Sequence, residues 1–103
     1  MQWHLNPEIP NAIEQLGFLP EFLRLGGGPA KEQLHRNYSH GGGWQPFRGF
    51  TMNDARTTLS YPGDPLTHWI ARTNLGDEEV IIFQHAWVAV VAPDDTYEIA
   101  RMD

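Results

Sequence analysis

The sequence predicts an α+β fold, with short N-terminal helices packed on one face of a C-terminal antiparallel meander of about five or six strands. Three observations lead there. Between Glu79 and Arg101 the chain carries two apolar, β-branched runs and a third, alternating run, separated by short polar breaks. The residues before Ser39 instead show helical spacing, broken by glycine and proline. Helices therefore precede strands, the order expected of helices gathered on one side of an antiparallel sheet.

Asn6 is placed to cap a helix whose first turn opens at Pro7, where a missing N–H costs nothing. Ile9, Ala12, Ile13 and Leu16 follow at helical spacing, and Gly17 suits the position just past the end. Pro20 to Leu25 predicts a second short helical turn, stopped by Gly26-Gly27-Gly28. Its neighbours Phe18 and Leu19, with Phe22, Leu23 and Leu25, are apolar enough to pack under the sheet. Pro29 to Tyr38 is the third expected helix, with Leu34 and Tyr38 on one face. Ser39 to Pro46 is a glycine loop pinned by Trp44 and Phe47.

From Arg48 onward the chain reads as strands. Arg48–Met52 and Thr57–Tyr61 form an expected hairpin turning at Asn53-Asp54. Pro62-Gly63-Asp64-Pro65 is a strong break. Strands are then expected over Thr67–Thr73, Glu79–Gln84, Trp87–Ala92 and Thr96–Arg101. No internal repeat and no second composition regime interrupts the chain, so residues 1–103 are expected to form one α+β domain.

The absence of cysteine rules out disulfides and thiolate metal sites. The N-terminal residues show no signal-peptide pattern, and no apolar run is long enough to span a membrane. A cytoplasmic protein without membrane contact is expected. Net charge is −6, and it is unevenly placed. Residues 1–50 carry four basic and four acidic side chains, whereas residues 51–103 carry three basic and nine acidic ones. An acidic half with a single lysine in the whole chain argues against direct nucleic-acid binding, which needs clustered Lys and Arg. The aspartates sit where turns are expected, and Asp bonds its own backbone there. Read together, they also make an acidic face for a partner with a basic surface.

The motifs offer little chemistry. His40-Gly41-Gly42-Gly43-Trp44 resembles the HGGG element of esterases and lipases, whose glycine amides help form an oxyanion hole. The resemblance covers five residues. Its family also needs a Gly-x-Ser-x-Gly elbow, and neither Ser39 nor Ser60 has the flanking glycines. His40, Gly41, Gly42 and Gly43 are retained as a candidate anion or ligand loop. Gly26-Gly27-Gly28 is not a phosphate loop, because Pro29-Ala30-Lys31 follows it. The five histidines form neither His-x-His nor His-Glu-x-x-His, so no metal and no cofactor is expected. His85 falls at a turn between strands.

The aromatic residues are more informative. Four tryptophans, five phenylalanines and three tyrosines exceed what a small one-sided core needs. Trp87–Ala92 is apolar on both faces, so either both faces of the sheet are covered or a partner covers one. Trp44, Trp69 and Trp87 are the expected anchors of a protein-binding surface, with Asp77, Glu78, Glu79, Asp94 and Asp95 as its acidic rim. The function expected is a small, acidic, non-catalytic protein-binding module, of the sort frequent among accessory and inhibitor proteins of phages and other mobile elements. One alternative is a small-ligand binder or enzyme built on the His40–Trp44 loop with His35, Asp64 or His68. Another is a structural subunit, self-associating or continuing a neighbour's sheet through Val80–Val91.

Overall fold

Six consecutive strands form an antiparallel meander in the computed structural model, which describes residues 3–16, 45–46 and 49–101. They are β3 (Thr51–Met52), β4 (Thr58–Ser60), β5 (Thr67–Leu75), β6 (Glu78–Phe83), β7 (Trp87–Val91) and β8 (Tyr97–Arg101). Two short strands extend the sheet. β1 (His4–Leu5) pairs with β5, and β2 (Gln45–Pro46) pairs with β8. The order is β2-β8-β7-β6-β5-β4-β3, with β1 also lying against β5.

Turn chemistry sets the hairpins. Leu75 pairs directly with Glu78, leaving Gly76-Asp77 as a two-residue turn with Gly76 at φ +65°. Glycine at the first central position is the signature of a type II′ turn, whose twist matches the flanking strands. Between β7 and β8, Asp95 N–H donates to Ala92 C=O at 3.0 Å, and Asp95 then turns left-handed at φ 69°. Between β3 and β4, Arg56 N–H donates to Asn53 C=O at 2.9 Å, and Arg56 has φ 57°. The first follows the three-residue pattern of a tight turn and a left-handed bulge residue, whereas the second is a four-residue loop, 54–57, built around a tight turn.

The sheet is buried on both faces. Along β6, Ile81 and Phe83 point inward to a cluster with Leu59, Ala89, Val91 and Ile99. Val80 and Ile82 point outward to a second cluster with Ile70, Val88, Val90 and Ala100. Val80, Ile81 and Phe83 are each 0% exposed, and each such side chain contributes roughly 1.5–3 kcal/mol relative to exposure. The outer cluster is covered in part by Trp3, Ile9 and Ala12.

A bulge in β5 shapes the inner side. Trp69 pairs with Phe83 and Ala71 with Ile82, so Ile70 is an extra residue. Before the bulge, Thr67 and His68 pair with β4; after it, Ala71 and Arg72 pair with β1. The change of partner releases the β3–β4 hairpin to fold over the inner face, where Leu59, Phe50 and Met52 join the inner cluster. The result is a half-barrel.

The expected α+β class is therefore corrected to a mostly antiparallel β-structure without a layer of helices on the sheet. Helix among the described residues is limited to α1 (Ala12–Leu16), five residues long, and one 3-10 turn at Gln84–Ala86. The predicted helix from Pro7 fails at Pro10, which has no N–H to bond the Asn6 carbonyl and would clash with it. Ile9 N–H takes that carbonyl instead at 3.2 Å, and Asn11 turns left-handed at φ 57° before α1 begins. The helices expected over Pro20–Leu25 and Pro29–Tyr38 lie outside the described residues. The later strands stand close to their predicted segments, with β5 running on to Leu75. No helix among the described residues is long and apolar enough to cross a membrane.

Candidate functional site

The meander gathers its acidic turns at one end. Gly76-Asp77 joins β5 to β6, and Pro93–Asp95 joins β7 to β8, so both turns lie at the same end of the strands. The Asn53–Arg56 turn is held to that end by ion pairs. Arg56 Nη1 lies 3.1 Å from Glu79 Oε1 and Nη2 lies 2.5 Å from Asp95 Oδ1. Arg72 Nε stands 3.9 Å from Glu79 Oε2, and Arg72 Nη2 donates to the Arg56 carbonyl. Asp54, Asp77, Asp94 and Asp95 are exposed around these arginines, and Glu78 and Glu79 are half-buried.

The five acidic residues expected as a rim thus share one end, though not one role. Glu79 and Asp95 are engaged by Arg56, while Asp77 sits on a turn tip. Asp94 receives the Thr96 hydroxyl at 2.6 Å and the Thr96 N–H at 3.1 Å. These bonds favour the ionised form, the hydroxyl most, and hold the Asp94 carboxyl below its usual range. Glu78 lies on the outer face, opposite Leu75.

At the other end is an aromatic cleft. Tyr61-Pro62-Gly63-Asp64 forms a turn closed by Asp64 N–H donating to Tyr61 C=O at 3.0 Å. Proline followed by glycine at φ +91° makes it type II, a stiff support for both Tyr61 and Asp64. The Tyr61 ring packs on Gly49 so closely that a Cβ there would lie 2.7 Å from its Cε2. Phe50 contacts Tyr61 at a centroid distance of 4.7 Å and Trp87 edge-on at 4.9 Å. Leu59, Pro65 and Thr67 complete a shallow cleft open to solvent. Its enclosed space is about what one water molecule needs, far below the size usual for a small-molecule pocket.

Trp87 and Trp69 are both half-buried against the inner cluster. Each carries an intramolecular guanidinium: Arg72 Cζ is 4.8 Å from the Trp69 ring centroid, and Arg101 Cζ is 5.7 Å from that of Trp87. Trp44, His35, His40 and Gly41–Gly43 lie outside the described residues. His68 is exposed, its backbone N–H donating to Gln84 Oε1 at 3.1 Å. His85 stands in the Gln84–Ala86 turn with φ 64°. Among the described residues no group of three His, Asp or Glu side chains is placed to hold a metal ion. β6 and β7 each have a strand on both sides, so Val80–Val91 offers no free edge to a neighbouring sheet.

Sequence reading missed Tyr61 and Phe50, although Pro62-Gly63 marks the turn that presents the former. It also missed Arg56, whose partners lie 23 and 39 positions away, beyond any local pattern. Comparison with protein-family models, with curated proteins and with solved structures gives no match to this chain.

Proposed function

We propose that the protein is a small, acidic, non-catalytic binding module that docks on a protein partner with a basic surface. The observation that carries this reading is the convergence of three hairpin turns at one end of the half-barrel, where Asp54, Asp77 and Asp94 are exposed. Such a face speeds encounter with a cationic partner and rejects acidic ones. The half-buried Trp87 and exposed Tyr61 at the other end supply residue types favoured at interface centres. An accessory or inhibitor protein of a mobile element fits this description, with a cytoplasmic setting and self-association as further parts of the proposal.

The test is capture of partners from the native host by the wild-type chain and by a double variant, Asp77→Lys with Asp94→Lys. Both positions are exposed turn sites, so the variant is expected to stay folded, with its melting temperature lowered only by loss of the Asp94–Thr96 bonds. A partner retained by the wild type and lost by the variant, with weaker capture at high salt, supports the reading. Equal capture by both removes the acidic end from the interface.

A further inference from the structure

We infer that the Phe50–Tyr61–Trp87 cleft is a binding site for a guanidinium group, the side chain of an arginine presented by the partner. Three features converge on that occupant. The cleft has aromatic walls, and an aromatic face attracts a cation through its quadrupole. Its lining includes Asp64, an exposed residue whose carboxylate can meet a planar guanidinium with paired hydrogen bonds. The chain already uses this chemistry internally, stacking Arg72 on Trp69 and Arg101 on Trp87.

The site is also held in place before any ligand arrives. Tyr61 is fixed between Gly49 and Phe50, and Asp64 is tied to Tyr61 by the type II turn. Little ordering is left for binding to impose, which favours affinity in a small contact. Tyr61 is 41% exposed and the neighbouring Leu66 52% exposed, so the mouth is open to a protruding side chain. The cleft encloses too little space for a metabolite, so the guanidinium lies against its aromatic walls at the surface.

The inference rests on the proposed function only for the source of the arginine; the cleft itself is tested with a small probe. N-acetyl-arginine amide is titrated into the full chain, and the Trp87 indole and Tyr61 ring resonances are followed by NMR. N-acetyl-citrulline amide, nearly the same in shape but uncharged, is the control. Saturable shifts at both rings are expected with arginine, with dissociation constants on the order of millimolar, and none with citrulline. Asp64→Asn and Tyr61→Ala are each expected to weaken binding about threefold. Asp64 is an exposed turn residue, so Asp64→Asn decides the matter should the tyrosine variant unfold.

Absence of a saturable Trp87 shift, or equal shifts from citrulline, overturns the cleft assignment. So does unchanged affinity in Asp64→Asn. Failure of this titration while Asp77→Lys with Asp94→Lys still abolishes capture discards the cleft alone. A positive titration with unaffected capture discards the acidic end alone.

Discussion

Asn6 shows how one side chain changes role between sequence and structure. Its position before Pro7 predicts a helix cap, and its Oδ1 does accept the Glu8 N–H at 3.0 Å. Its remaining donors go to the β5 bulge: the backbone N–H to Ile70 C=O at 2.8 Å and Nδ2 to Trp69 C=O at 2.9 Å. Asn6 is 8% exposed, so Asn6→Ala leaves the Trp69 carbonyl without that donor at a largely dry site. The variant is expected to lose about 1–3 kcal/mol in a urea melt. A change within error would mean that the bulge does not depend on Asn6. Asp94 offers a second test. Its carboxyl is held below the ordinary range by Thr96, so the fold favours the ionised form. Stability from this contact is present above the ordinary carboxyl pKa of about 3.9 and fades as pH falls through the lowered value. Thr96→Val is expected to move the Asp94 carboxyl titration upward toward the ordinary value, as read by NMR. An unmoved titration would remove the hydroxyl as the cause.

The strands of the meander were legible because their signal is local. β-branched runs, polar breaks and turn residues at Pro93-Asp94 and Gly76-Asp77 all lie within a few residues of what they control. Apolar spacing predicts the first helix, but Pro10 interrupts the backbone bonds that such spacing presupposes. The β3–β4 hairpin was visible as a hairpin but not as a flap across the inner face, since that placement depends on the Ile70 bulge and on Arg56. Arg56→Met removes both ion pairs of the turn, with Glu79 and with Asp95. The pairs are only partly shielded, so the expected loss is about 1 kcal/mol at low ionic strength, shrinking in ~1 M NaCl. Urea midpoints at the two salt concentrations check this. A salt-independent loss would show that the arginine acts through packing of its stem instead.

Across the molecule, burial is deepest in the middle of the sheet. Val80–Phe83 and Val88–Val91 are each no more than 3% exposed and lie in strands paired on both sides. Amide exchange is therefore expected to be slowest in β6 and β7 and faster in β3 and β4, measured by NMR in heavy water. The reverse order would contradict the placement of the core. With this burial both faces of the sheet are covered, and within β7 the residues Val88–Val91 present no apolar face to a partner. The surface of the described residues includes an acidic end and an aromatic cleft, set at opposite ends of the same strands.

By itself the sequence determined the strands, their turns and the excess of acid in the C-terminal half, because pleat alternation and turn geometry act between near neighbours. The tertiary structure alone decided that those acids share one end, that Phe50, Tyr61 and Trp87 meet, and that a single arginine ties two distant turns together. These are contacts between residues far apart along the chain. They arise when a bulge redirects one strand and burial folds a hairpin over the sheet, events that no local pattern records.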